Sequence, residues 1–167
     1  MCGSIYTPWE GAVKDLFSVQ GKVVIVTGGS RGIGEMIAAG FLANGAKVYI
    51  SSRKADACNA TAERLQAEFG GECISIPADM STLEGIDGFC ATFKSREDKL
   101  DVLINNAGIY PKVEMIDMEL TDWQETIDVN LTSVFLVTQA AVKHMIKAGD
   151  GGAIVNIGSI EGVNPAV

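Results

Sequence analysis

Residues 27–34 read Thr27-Gly28-Gly29-Ser30-Arg31-Gly32-Ile33-Gly34, directly after an apolar run and directly before a helical pattern. Glycines there permit positive φ and a close backbone approach, so that N–H groups and a helix N-terminus can face a pyrophosphate. The chemistry this suits is dinucleotide binding, although a tight strand-to-helix turn also asks for glycine on structural grounds alone. A Walker A loop is excluded, because Glu35 stands where that loop needs lysine, and the spacing is Gly-x-x-x-Gly-x-Gly rather than Gly-x-Gly-x-x-Gly. The adenosine ribose is met about 20 residues further on, at the end of the second strand. Here that end reads Ser51-Ser52-Arg53-Lys54, with no carboxylate for the ribose hydroxyls. Arg53, helped by Arg31 or Lys54, suits a 2′-phosphate, which places NADP(H) ahead of NAD(H); a solvated arginine at a strand end is the alternative.

The elements that must hold these residues follow from the apolar pattern. Val23–Val26, Val48–Ile50, Ile74–Ile76, Val102–Ile104 and Ile154–Ile157 are continuous rather than alternating runs, as expected of strands buried on both faces in a parallel sheet. Helical patterns lie between them. The first stripes Ile33, Ile37 and Phe41 and stops at Asn44-Gly45; the second stripes Cys58, Ala62, Leu65 and Phe69 and stops at Gly70-Gly71. Capping boxes are expected at Ser81 with Glu84 and at Thr121 with Gln124. The last helix meets no breaker from Thr121 until Gly149. Its stretch from Ile127 to Val142 is apolar nearly all round, so Val129, Phe135 or Val137 is expected to bury against a second copy of the chain, as a homodimer or homotetramer through residues 121–148. The fold class is therefore α/β, a doubly wound parallel sheet of the Rossmann-like, three-layer αβα kind, with ligands at the carboxyl ends of the strands. Residues 1–20 read as an N-terminal extension, with Trp9, Val13, Leu16 and Phe17 either packed on the flank or part of a tail; residues 21–167 form one nucleotide-binding domain.

Composition narrows the function classes. Thirteen Lys plus Arg against 21 Asp plus Glu give a net charge of −8, which opposes nucleic acid and anionic membranes as partners. Four cysteines without a C-x-x-C pair, and a single histidine, argue against a zinc site or a disulfide framework. No apolar run is long enough to span a membrane, and a cytoplasmic location with reduced thiols is expected.

Further motifs fall into register with the glycine loop: Ala78-Asp79-Met80 after the third strand, Asn105-Asn106-Ala107-Gly108 after the fourth, Asn130 in the long helix and Ile157-Gly158-Ser159 after the fifth. Together they resemble the short-chain dehydrogenase/reductase family from about residue 18 to residue 167. The resemblance implies an oxidoreductase that moves a hydride between NADP(H) and a small carbonyl or alcohol substrate, of 3-oxoacyl reductase or sugar dehydrogenase type. It implies that Gly28, Ser30, Arg31, Gly32, Ile33 and Gly34 cradle the cofactor, that Arg53 meets its adenosine end, and that Asp79 and Met80 hold the adenine. By the same resemblance Asn106, Ala107 and Gly108 pass its inner face, Asn105 and Asn106 tie neighbouring strands, Asn130 binds a relay water, and Ser159 hydrogen-bonds the substrate oxygen. An asparagine satisfied by backbone and a plain turn serine are the simpler accounts of the last two.

The family's proton donor lies in a Tyr-x-x-x-Lys motif, expected about thirteen positions after the serine; no such motif occurs in residues 1–167. The sequence thus reads as the N-terminal two thirds of such an enzyme, ending after the fifth strand, and a non-catalytic nucleotide-binding or dimerising remnant is the competing reading. His144, beside Lys143, reads as solvated or interfacial. Glu114, Asp117 and Glu119 read as solvent-facing, with Met115, Ile116 and Met118 at the border of a substrate.

Overall fold

The computed structural model describes residues 16–162. Val23–Thr27 (β1), Lys47–Ser51 (β2), Cys73–Ser75 (β3), Val102–Asn105 (β4) and Ala153–Asn156 (β5) form one parallel sheet in the order β3-β2-β1-β4-β5. Each strand lies within a residue or so of its apolar run. Gly32–Ala43 (α1) and Ala55–Phe69 (α2) cover one face, and Leu83–Arg96 (α3) and Ser133–Ala148 (α5) the other; Leu120–Ile127 (α4) precedes α5. Successive residues of β1 serve opposite layers. Val23 and Ile25 pack with Phe89, Phe93 and Val137, whereas Val24 and Val26 pack with Ala38, Leu42 and Leu65. Burial on both faces explains why the strand is apolar without a break.

Several expectations shift. Helix α1 buries Gly34, Ala38 and Leu42, one position along from the expected stripe, and leaves Ile33 exposed. Small residues let this helix lie close on the sheet. In α2, Cys58, Ala62 and Leu65 are buried as expected but Phe69 is exposed. The cap of α3 is Thr82, whose Oγ1 accepts from Gly85 N at 3.1 Å, because Ser81 is engaged by Asp79. Helix α4 is capped two residues earlier than expected, at Glu119, with Asp122 accepting from Glu119 N at 3.3 Å in place of the Thr121 box.

The long helix is not uniform. A π-turn over Asp128–Thr132 joins α4 to α5. Val129 and Val137 are buried within the chain, and the residues left exposed are Leu131, Phe135, Val142 and Ile146. His144 is buried, edge-on to Phe93 at 5.7 Å between centroids, so it is neither solvated nor interfacial. Leu16 and Phe17 are exposed and do not pack on the flank; Trp9 and Val13 lie outside the described residues.

Candidate functional site

The chain order reverses at β1, which lies between β2 and β4, and this switch point is where open α/β sheets bind ligands. The carboxyl ends of these strands open onto a groove of about 610 Å³, within the range of small-molecule sites.

The glycine loop forms one wall. Gly28 takes a φ of +68°, and a Cβ there would lie 2.9 Å from the Ala107 Cα. At Gly34 a Cβ would run into the Gly28 carbonyl and the Asn106 amide. These two glycines therefore let the loops after β1 and β4 interlock, so the structural reading of the glycine cluster holds beside the ligand one. Gly32, by contrast, lines the groove at φ +56° with nothing near a Cβ. Ser30 and Arg31 line the same wall, and the Ser30 carbonyl accepts from Thr61 Oγ1 at 3.0 Å, anchoring the loop to α2. Ile33 is exposed and lies away from the groove lining.

The β4 wall is fixed by hydrogen bonds. Asn106 Nδ2 donates to the Thr27 and Gly28 carbonyls at 3.0 and 3.3 Å. Thr27 Oγ1 accepts from Asn106 N and Ala107 N, both at 3.0 Å. Asn105 Nδ2 donates to Asn156 Oδ1 and Thr138 Oγ1, each at 2.9 Å, tying β4 to β5 and α5. The strand-tying expectation for both asparagines is thus met, and Thr27 joins them. Sequence reasoning gave Thr27 no role; a hydroxyl at a strand end opposite an Asn-Asn pair was the available signal. Ala107 and Gly108 line the groove.

At the β2 corner stand Ser51, Ser52, Arg53 and Lys54. Ser51 is fully buried, yet its Oγ has no hydrogen-bond partner among the described residues. Arg53 lines the groove and donates from Nη1 to Glu125 Oε1 at 2.9 Å. Nothing in the sequence could signal that pairing across 72 residues. Met80 is buried and lines the groove. Asp79 accepts from Ser81 N and Ser81 Oγ at 2.9 and 2.7 Å. Burial works to raise its pKa, but the Ser81 hydrogen bonds and the Arg53 charge hold it below the ordinary carboxylate value.

Asn130 sits in the π-turn, a local geometry that recurs at functional sites. Its Oδ1 accepts from Ile109 N at 2.8 Å and its Nδ2 donates to Ile109 O at 2.9 Å, so the amide fastens the loop after β4. Ser159 is exposed just beyond β5, on the side of the sheet where Ile157 N donates to Asn105 O at 2.9 Å. Burial pushes the Cys73 thiol up to about 12 and also raises Cys58 and Cys90, which suits none of them to nucleophilic work.

A dinucleotide fits these residues. The glycine wall allows a backbone approach, the buried Ser51 hydroxyl lacks an internal partner, and Arg53 offers a guanidinium at the adenosine corner. A doubly wound sheet carrying such a groove defines a nucleotide-binding domain of Rossmann-like form. The chain belongs to the short-chain dehydrogenase family, whose model matches residues 22–167. It is 38% identical over 151 residues to a rhamnolipids biosynthesis 3-oxoacyl-[acyl-carrier-protein] reductase of Pseudomonas aeruginosa, covering 89% of this chain and 58% of that protein. It is 33% identical over 149 residues to the 5-keto-D-gluconate 5-reductase of Escherichia coli, covering 89% of this chain and 58% of that protein. Among solved structures it resembles the Pseudomonas aeruginosa RhlG/NADP active-site complex, with a TM-score of 0.83, 37% identity, and coverage of 90% of this chain and 59% of that one. L-sorbose reductase from Gluconobacter frateurii, complexed with NADPH and L-sorbose, gives a TM-score of 0.83 at 31% identity, covering 88% of this chain and 56% of that one. The chain thus spans less than two thirds of the length of these relatives. No helix among the described residues is long and apolar enough to cross a membrane.

Proposed function

We propose that residues 21–167 form the cofactor-binding and serine-bearing part of an NADP(H)-dependent oxidoreductase acting on a small carbonyl or alcohol, of 3-oxoacyl or sugar reductase type. The observation that carries this reading is the single groove holding the glycine loop, the unpartnered Ser51 Oγ and Arg53 together. Relatives that reduce 3-oxoacyl and sugar substrates, and relatives solved with NADP or NADPH, support it. When bound, the nicotinamide supplies or takes up the hydride. Arg53 and Arg31 neutralise phosphate charge, and the backbone of 28–34 accepts a close pyrophosphate. The Asn130 amide holds the loop that carries Gly108, 3.5 Å from where a Gly108 Cβ would stand. Ser159 donates to the substrate oxygen, and in a polypeptide that continues through Tyr-x-x-x-Lys the tyrosine of that motif supplies or takes up that oxygen's proton.

The test has two readouts. Calorimetric titration of the chain should give tighter binding of NADP+ than of NAD+, with Arg53→Ala weakening NADP+ about tenfold, the size of one charge-assisted contact. In a polypeptide that continues through Tyr-x-x-x-Lys, Ser159→Ala should lower ketone turnover about a hundredfold or more. Equal affinity for both nucleotides, or turnover indifferent to Ser159, overturns the reading. Nucleotide binding without turnover in that longer polypeptide would favour a non-catalytic binding role instead.

The exposed Leu131, Phe135, Val142 and Ile146 support self-association through residues 121–148, as a homodimer or homotetramer. A monodisperse monomer at micromolar concentration in light scattering overturns it.

A further inference from the structure

The Arg53–Glu125 pair joins two walls of the groove. Arg53 follows β2, on one side of β1, while Glu125 lies on α4, reached from β4 on the other side. Glu125 stands one helical turn before Val129, which lines the groove together with Arg53. The contact is 2.9 Å, and the two side chains keep 51% and 46% of their surface exposed, so the bond is intact but open to exchange. The surrounding charges are Arg31 and Lys54 on the groove lining and Asp79, whose carboxyl senses Arg53.

We propose that Glu125 is a specificity-determining residue for the adenosine end of the cofactor. Its carboxylate takes the place on Arg53 that a 2′-phosphate would take. An incoming 2′-phosphate must displace that carboxylate or sit beside a like charge, and either cost falls on NADP(H) alone. NAD(H), with a bare ribose hydroxyl, leaves the ion pair in place. Glu125 therefore narrows the preference for NADP(H) that Arg53 creates, and makes the selectivity a balance between two anions, a carboxylate and a phosphate, for one guanidinium. This inference rests on the NADP(H) reading of the groove.

The experiment is calorimetric titration of NADP+ and of NAD+ into the 167-residue chain, its Glu125→Gln and Arg53→Ala variants, and the double variant. Glu125→Gln should tighten NADP+ about two- to fivefold, the range of a half-exposed ion pair, and leave NAD+ unchanged. On the Arg53→Ala background, where no guanidinium is left to compete for, the same substitution should tighten NADP+ by less than it does in the parent and leave NAD+ unchanged. A purely structural ion pair would instead move both nucleotides together, and that result, or weaker NADP+ binding by Glu125→Gln, overturns the inference while leaving the cofactor reading standing. If Arg53→Ala leaves NADP+ affinity untouched, or if no variant binds either nucleotide, the cofactor reading falls and the inference falls with it.

Discussion

The two ends of the sheet place their charged groups differently. At the amino end these groups close on one another within the chain, although the nearby His144 Nε2 is buried without a hydrogen-bond partner among the described residues. Asp101 accepts from Val23 N at 2.8 Å and from Lys22 and Lys99, each at 3.1 Å. Lys47 sits 2.8 Å from both Glu72 and Glu97, and Tyr49 donates its hydroxyl to Glu97 at 2.6 Å. The pKa directions follow. Burial first, then the Glu97 hydrogen bond, pushes the Tyr49 phenol up to about 12; hydrogen bonds to Glu72 and Glu97 raise Lys47. Burial works against ionised Asp101, but Val23 N and the two lysines outweigh it and hold its pKa below the ordinary value. At the carboxyl end the backbone is thinned by glycine, the Ser51 hydroxyl lacks a partner among the described residues, and Arg53 is held by a half-exposed carboxylate. One end is built to stay closed. The other also pairs Asn105, Asn106 and Asn130 within the chain but leaves the Ser51 hydroxyl and a half-exposed Arg53 at a groove, and the same parallel sheet supplies both ends because every strand runs the same way.

The largest effect that bears on this contrast is expected from Gly28→Val, which combines a positive φ with a 2.9 Å approach to Ala107. A β-branched residue in the left-handed region costs about 1–2 kcal/mol, and overpacking adds about 1–3 kcal/mol. Denaturant unfolding should report that loss, and nucleotide binding should vanish with it, showing that the binding end also carries packing. Retained nucleotide affinity in a folded Gly28→Val chain would break the contrast at its centre.

A smaller effect, of about 2 kcal/mol, is expected from Asp101→Ala, which leaves Val23 N without its acceptor. Nucleotide affinity should not change, since Asp101 lies at the far end of the sheet. The sign of the pH dependence is fixed by its depressed pKa. The stabilisation is complete above the unfolded carboxylate value of about 3.9 and is lost as pH falls through the lower folded-state value. Stability curves of the parent and the variant should therefore converge in acid and separate toward neutrality. A constant gap across the acid range would assign the loss to packing instead.

The strands were legible because burial on both faces forces uninterrupted Val and Ile, as in Val23–Val26, and such runs have few other uses. The α1 stripe was misread for a physical reason. Gly34 faces the sheet because its contact with Gly28 and Asn106 leaves no room for a side chain, and Ala38 joins the buried cluster of Val24 and Val26, whereas a hydrophobic pattern gives weight to Ile33, Ile37 and Phe41. The capping positions slipped by one or two residues because Asp79 competes for Ser81 and Asp122 reaches Glu119 rather than Thr121. The glycine loop from Gly28 to Gly34 was legible from glycine spacing after a strand, whereas Asn106, Ala107 and Gly108 became candidates only through the family resemblance. Glu125 and the Asn130–Ile109 pairing were not legible, since each depends on chain segments brought together only by the sheet order.

The π-turn at Asp128–Thr132 gives the long helix a spare residue, since such a turn accommodates one residue more than an α-turn. Helix α4 buries none of its residues, whereas α5, beyond the turn, buries Ser133, Val137, Ala141, His144 and Met145. Losing one residue within 128–132 would let that turn close as ordinary α-helix, so that Glu125 keeps its place beside Arg53 while α5 keeps its seat on the sheet. Length variation at this point of the chain is therefore taken up inside one turn, which works as a slack link between the packed layer and the Arg53 corner.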